Sequence, residues 1–461
     1  MQASICRQLQ EILGREHVLT APEDLACYSF DGTGRSFQPE AVIFPDAASQ
    51  VSEVLCLANR YRFPVTPRGA GSGMTGGALP VRGGVVLVTS RMNRIVEIDR
   101  ANMVAVVEPG VITGELQNRL AREGLLYPVD PASLSFCTIG GNAAECAGGP
   151  SAVKYGVTRD HVLGLQVVLP TGEIMETGVR TGKGVVGYDL TRLFIGSEGT
   201  LGIFTRLVLR LLPQPESRMT FLLLFDAMQA APVLVSEILA QGMTPCTLEY
   251  MDAMALAVVR RHLPLDLPES VQALLLLELD GSQSQVADQA ARLERFLREQ
   301  GVTFQVAADS GERDRLWLAR RSISPAVFAL RPHKISEDVV VPRSRIHELV
   351  EFTSSLGKSL DLTILTFGHA GDGNIHVNIM LDREDRAELA RATEAKERLF
   401  EFVLRIDGTL SGEHGIGITK SSFLSWEIDP VALEMMRRLK NLFDPNGILN
   451  PGKIFPQAPS P

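Results

Sequence analysis

Pro67-Arg68-Gly69-Ala70-Gly71-Ser72-Gly73-Met74-Thr75-Gly76-Gly77 decides how this chain folds. Gly71, Gly73 and Gly76 satisfy GxGxxG, the spacing of a dinucleotide-binding turn. Such a turn must open a helix. Here Gly77, Pro80, Gly83 and Gly84 follow at once, and the next run, 85–89, is β-branched. The segment is therefore a loop between strands. Its glycines still let successive backbone N–H groups turn inward and form a nest for a pyrophosphate. So long a Gly/Ser run between apolar strands is costly to order, which argues against an idle surface loop.

Three more small-residue regions follow within the same half of the chain. They are Tyr127–Pro131 with Thr138-Ile139-Gly140-Gly141-Asn142, then Gly148-Gly149 with Lys154-Tyr155-Gly156, and finally Gly196-Ser197-Glu198-Gly199-Thr200-Leu201-Gly202-Ile203. Small side chains let the main chain approach a flat ligand closely, as a flavin ring requires. One such region is only a turn; four together point to a large cofactor.

A second kind of chemistry lies further on, in Phe367-Gly368-His369-Ala370-Gly371-Asp372-Gly373-Asn374-Ile375-His376-Val377-Asn378. The flanking runs favour strands, and Asp372-Gly373 between them is a hairpin signal. A hairpin brings His369 and His376 together, with Asn378 on the same face as His376 because residues two apart on a strand share a face. Two imidazoles and an amide at one spot suit a metal or a substrate. Ser411-Gly412-Glu413-His414-Gly415 places a carboxylate beside a further imidazole in another Gly-rich turn.

The 461 residues allow two or three domains of ordinary globular composition, 45% hydrophobic and 21% charged. A net charge of −9, with no basic cluster interleaved with aromatics, argues against a nucleic-acid partner. The six cysteines are scattered, without the spacing of a zinc or iron–sulfur site, and fit a reducing cytosol. Any one-electron relay is then expected on another chain. The amphipathic N-terminal stretch lacks a signal-peptide core, and no apolar run is long enough to span a bilayer. A soluble, cytoplasmic protein is expected, attached to a membrane at most peripherally through a partner.

Pro213-Gln214-Pro215 is the best boundary. Before it come β-branched runs at 41–44, 85–89, 104–108, 162–169 and 201–212. After it strands (219–226, 245–250, 271–279, 302–308, 335–341, 362–368, 375–380) alternate with helices (230–241, 252–262, 284–299, 311–330, 344–357, 385–406). That rhythm predicts an α+β domain with helices on one face of its sheet. A helix at 430–445 precedes Asn450-Pro451-Gly452-Lys453 and a Pro-rich tail expected to be disordered.

In this order PRGAGSGMTGG, TIGGNAAECAGG, GSEGTLGI, HAGDGNIH, SGEHGIG and NPGK resemble the type 4 FAD-linked oxidases of the vanillyl-alcohol oxidase / p-cresol methylhydroxylase superfamily, over nearly the whole chain. The nearest members are glycolate oxidase (one of its subunits), D-lactate dehydrogenase and D-2-hydroxyglutarate dehydrogenase. The resemblance implies an α+β fold: a two-subdomain flavin domain of the p-cresol methylhydroxylase type at 1–217, an α/β, ferredoxin-like substrate cap at 218–414, and a C-terminal helical segment at 415–461 returning to the flavin. FAD, held non-covalently, would contact Pro67, Arg68, Gly69, Ala70, Gly71, Ser72, Gly73 and Thr75 at its pyrophosphate. Pro131, Ser133, Thr138, Gly140, Gly141, Asn142, Gly148, Gly149, Gly156, Glu198, Gly199, Gly202, Ile203 and Asn450 would line the rest, with Lys453 approaching.

His369, His376 and Glu413 correspond to the ligands of a divalent ion (zinc, manganese or iron), Asn378 to a substrate-contacting asparagine, His414 to the base and Arg320 to the arginine that pairs with the substrate carboxylate. The family lysine position falls on Lys334 or Ser336, a departure that counts against a second substrate carboxylate. The implied reaction is oxidation of a D-2-hydroxy acid, D-lactate or glycolate, with electrons passed to an iron–sulfur subunit or an electron-transferring flavoprotein, the chain acting as a homodimer or in a hetero-oligomer. The competing readings are a same-fold, non-redox transferase like alkyl-glycerone-phosphate synthase and a non-catalytic electron-transfer or scaffold subunit.

Overall fold

The structure, a computed structural model, describes residues 1–260 and 267–456. The expected helix end at 262, His262 and the last residues of the Pro-rich tail lie outside them. The chain forms two compact units. The first is Met1–Gly148 with Gly156–Gln214 and Glu413–Pro461, and the second is Gly149–Tyr155 with Pro215–Gly412.

In the first unit Val18–Leu19 (β1), Ala41–Ile43 (β2), Val65–Arg68 (β3) and Val85–Val88 (β4) make a sheet in the order β1-β2-β4-β3. β4 runs parallel to both β2 and β3. Parallel neighbours cannot be joined by a tight turn, so each connection must cross over. The first crosses through the Ala48–Tyr61 helix, whose Val51, Val54, Leu55 and Ala58 pack into the core with Ile43, Val65 and Leu87. The second, from β3 to β4, uses residues 69–84 and contains no helix. The glycine-rich segment is thus a crossover loop between strands, and the Rossmann reading fails on that ground.

The rest of this unit is antiparallel. Ile95–Asp99 (β5), Val104–Val107 (β6), Val162–Val168 (β8), Ile174–Gly178 (β9) and Ile203–Arg210 (β10) form a sheet ordered β5-β6-β10-β8-β9, and Leu125–Leu126 (β7) pairs with Leu212–Pro213 (β11). Sequence reading did not mark β5 and β9. Both are edge strands, largely exposed, without the apolar alternation that marks a buried strand.

The second unit is built on Ser217–Phe225 (β12), Thr247–Asp252 (β13), Ala273–Gly281 (β14), Thr303–Val306 (β15), His333–Val340 (β16), Thr363–His369 (β17) and Asn374–Leu381 (β18). They form one antiparallel sheet, β15-β12-β14-β13-β17-β18-β16. Helices cover both faces rather than the one expected. Leu222 lies opposite Leu276 and Leu224 opposite Leu274, and these pack with Met251 and Phe367 beneath the helices Ala253–Val259 and Ser310–Ala326. Ile379 and Leu381 point the other way, toward Leu356, Ala392 and Ala395 of the helices Ile346–Leu360 and Arg386–Arg405. The continuous apolar runs at 221–225 and 274–277 signal such double cover, because a half-exposed strand alternates.

Gly149–Tyr155 joins this unit through buried Asp280. Lys154 Nζ donates to its carbonyl at 2.8 Å and to Oδ1 at 2.5 Å, and Tyr155 Oη donates to Oδ2 at 2.8 Å. Among the described residues no helix is long and apolar enough to cross a membrane. Leu276 is fully buried at the centre of the sheet. Leu276→Ala is expected to cost about 2–5 kcal/mol, read as a lower denaturant midpoint for the second unit; an unshifted midpoint would contradict this packing.

Candidate active site

The crossover loop turns at Gly71 (φ +71°) and Gly76 (φ +89°). A Cβ at Gly71 would strike the Arg68 guanidinium, and one at Gly76 would lie 2.6 Å from Ile418 Cγ1. Among the described residues, none of the backbone amides of 69–77 donates to a protein acceptor. Arg68 is buried, with Nη1 unpartnered, and its burial lowers the guanidinium pKa. Undonated amides beside a buried cation are an unmet demand for an anion. The loop therefore fits the pyrophosphate of FAD.

Much of the expected lining gathers around it within the same unit. Thr138, expected in a small-residue loop, instead caps the Ile139–Glu145 helix, accepting from Gly141 N at 3.2 Å, and Asn142 Nδ2 donates to Thr113 at 2.7 Å. Side chains at Gly69 or Gly140 would collide with Thr138 or Pro109, and one at Gly199 would lie 2.6 Å from Pro67. The buried Glu198 carboxylate accepts from the amides of Ile416 (2.8 Å) and Gly417 (2.6 Å); burial raises its pKa and these bonds oppose the rise.

Asn450 Nδ2 donates to the carbonyls of Gly77 and Glu198 at 2.9 and 2.8 Å. Lys453 Nζ reaches Leu79 O at 2.6 Å, and burial lowers its pKa to about 8. Thr75 Oγ1 donates to His414 O at 2.9 Å, which ties that histidine's backbone to the loop. Three expected residues stand differently. Ile203 buries its side chain in the core beside the β1-β2-β4-β3 sheet, Gly202 packs against Phe194 and Val167, and Gly149 belongs to the second unit. Pro131 and Ser133 form a turn through their carbonyls, Gly156 turns with φ +80°, and Gly148 lies 3.0 Å, at an added Cβ, from Glu413 Oε2.

In the second unit β17 and β18 are the expected hairpin. Gly373 takes φ +89° with Val341 O where a Cβ would stand, and Asp372 Oδ1 accepts from Asn374 N at 3.2 Å. Phe367 lies opposite His376 and Leu365 opposite Asn378, so His369, His376 and Asn378 share one face. The two imidazoles are 5.1 Å apart, nearly perpendicular. Asn378 is fully buried, and neither Nδ2 nor Oδ1 has a hydrogen-bond partner. Ser336 stands directly opposite it on β16. Lys334, two residues along the same face, donates to Ser324 Oγ at 2.9 Å, and burial lowers its pKa to about 8. Asp338, opposite His376, accepts the amide of Gly412 at 2.9 Å (O) and 3.0 Å (Oδ2); Glu413 is the next residue of the chain.

Sequence reasoning missed Glu249. This fully buried carboxylate on β13 takes Arg320 Nε (2.7 Å) and Nη2 (2.6 Å) on Oε2, and His369 Nδ1 (2.6 Å) on Oε1. Arg320 also stacks over Phe367 at 4.9 Å. Burial pushes the Glu249 pKa up, but Arg320 and His369 overcome it and bring the carboxylate to about 2. A lone acid within the strand-like run at 245–250 was the available signal, since a buried charge needs a partner.

Residues 39–178 match the FAD binding domain, and residues 214–454 match the C-terminal domain of FAD linked oxidases. The chain belongs to the FAD-linked oxidase family. As a FAD-linked oxidase it is a flavin-dependent oxidoreductase. It is 41% identical to glycolate oxidase subunit GlcD of Bacillus subtilis, over 97% of this chain and 96% of that protein. It is 39% identical to the probable mitochondrial D-lactate dehydrogenase of Danio rerio, over 90% and 84%. Among solved structures it shares the fold of p-cresol methylhydroxylase with substrate bound, with a TM-score of 0.84 at 19% identity, covering 98% of this chain and 96% of that one.

Two outcomes test this geometry. Gly71→Val of the FAD-linked oxidase is expected to purify without its flavin absorbance; a full flavin complement would contradict the loop's role. The second is a pH effect. Because the folded-state pKa of Glu249 lies below its unfolded value, near 4.5, its stabilising contribution is complete above that value and is lost as pH falls toward 2. Glu249→Gln should flatten the acid limb of stability against pH by about 3 kcal/mol over that range. An unchanged limb would mean the carboxylate is not ionised in the fold.

Proposed function

We propose that this FAD-linked oxidase oxidises a D-2-hydroxy acid, D-lactate or glycolate, to the 2-oxo acid with the help of a divalent cation, and passes the electrons to a partner protein. The observation that carries the reading is the Asn378 amide, buried with both polar atoms unpartnered on the strand face that holds His369 and His376. An unpaired buried amide costs about 1–3 kcal/mol, so it is suited to be satisfied by a polar substrate. The names of the relatives, glycolate oxidase subunit and D-lactate dehydrogenase, point to a hydroxy acid.

FAD supplies a two-electron acceptor when bound. A divalent ion would supply charge that lowers the pKa of a hydroxyl group beside it. His369, His376 and Glu413, two imidazoles and a carboxylate, are the residues that would hold such an ion. The set suits zinc, manganese or iron, since three protein ligands leave positions open for substrate. His414, beside Glu413, accepts the hydroxyl proton, a task an imidazole performs near neutral pH. Arg320 receives the substrate carboxylate. Its Nε and Nη2 are engaged by Glu249, so the carboxylate meets the Nη1 side. Asn378 and Ser336 offer further hydrogen bonds.

The scattered cysteines provide no iron–sulfur ligand set. The electrons then pass to an iron–sulfur subunit or an electron-transferring flavoprotein, which fits the naming of two relatives as subunits. The protein works in the cytoplasm, attached to the inner membrane at most through that partner.

His369→Ala is expected to keep its flavin, lose bound metal and lose turnover by about three orders of magnitude, the scale of several kcal/mol of transition-state charge stabilisation. Metal analysis and dye reduction with D-lactate and glycolate measure this. A metal-free variant with undiminished turnover would sink the metal assignment.

A further inference from the structure

Glu249 lies outside the proposed machinery and yet touches two of its members. It sits in mid-strand on β13, opposite His369 on β17, and its carboxylate is fully enclosed. Oε1 meets His369 Nδ1 at 2.6 Å, and Oε2 meets Arg320 Nε and Nη2 at 2.7 and 2.6 Å. A carboxylate held by an arginine in this way is an acceptor only. His369 must then carry its proton on Nδ1, which leaves the lone pair of the neutral ring on Nε2. The same contact fixes ring rotation, because His369 ends β17 at the lip of a turn. Oε2 meanwhile holds one edge of the Arg320 guanidinium and leaves Nη1 clear of it.

We propose that Glu249 is the positioning residue of the site, setting His369 to offer Nε2 to a divalent cation and fixing which edge of Arg320 faces the substrate carboxylate. The inference rests on the metal role given to His369 above. One carboxylate then fixes the spacing between the cation and the guanidinium, and so the separation of hydroxyl and carboxylate that the site accepts. Carboxylates behind metal-bound histidines act in this way, raising ligand basicity and restricting orientation.

The test is zinc affinity of the intact flavoprotein, measured by competition with a chromophoric chelator, with flavin absorbance as the control for folding. Glu249→Gln is expected to bind zinc about 10–100-fold more weakly than wild type at full flavin content. If the unpaired arginine prevents that variant from folding, Glu249→Leu with Arg320→Met replaces the ion pair by an apolar one and is expected to show the same loss. Wild-type zinc affinity in whichever of these folds overturns the positioning role. His376→Ala separates the two levels. It should lose zinc outright, and if it binds zinc as wild type does, the metal reading itself fails and the positioning role with it.

Discussion

A carboxylate with no exposed surface can stay ionised only where the fold supplies a counter-charge and hydrogen-bond donors, and the second unit is arranged around that constraint at Glu249. The Ser310–Ala326 helix delivers Arg320 to one oxygen, and the end of β17 delivers His369 to the other. For both to arrive, β13 and β17 must pair in the register that sets Glu249 opposite His369. A slip of one residue would turn the carboxylate to the other face of the sheet. The pairing of β17 with β18 then lays His376 and Asn378 on the face that carries His369.

The first unit answers a different demand by a similar device. In its crossover loop the amides of 69–77 find no protein acceptor among the described residues, so main-chain bonds donated from that stretch do not hold it in place. Surrounding side chains support it instead. Asn450 holds the Gly77 carbonyl, Lys453 the Leu79 carbonyl, and Thr75 the backbone of His414. Glu198 gathers the amides of Ile416 and Gly417. The C-terminal segment is thereby an integral part of the flavin unit, although it is more than two hundred residues away in sequence from the strands it completes.

Features set by local chemistry were legible in the sequence. The Asp372-Gly373 turn, the helix-free glycine crossover and the shared strand face of His376 and Asn378 each follow from a handful of neighbouring residues. What was not legible depends on distant ones. Nothing near Glu249 in sequence names Arg320 or His369 as its partners. Lys154 and Tyr155 read as part of a small-residue turn, and only their bonds to Asp280 draw Gly149–Tyr155 into the second unit. The helices on both faces of the seven-stranded sheet were hidden for another reason: an unbroken apolar strand reports burial without saying what covers each side. Sequence reading left Lys334 and Ser336 as alternatives; both lie on the site face, with Ser336 directly across from Asn378.

In the proposed reaction a hydroxy acid reduces the flavin with the help of a metal ion. The most direct measurement is anaerobic mixing of the purified flavoprotein with D-lactate, L-lactate and glycolate while flavin absorbance is followed, before and after treatment with a chelator. Bleaching by D-lactate or glycolate but not L-lactate, abolished by the chelator and restored by zinc or manganese, is the predicted result. Bleaching that survives complete metal removal, or none with any 2-hydroxy acid in the metal-loaded protein, would contradict it.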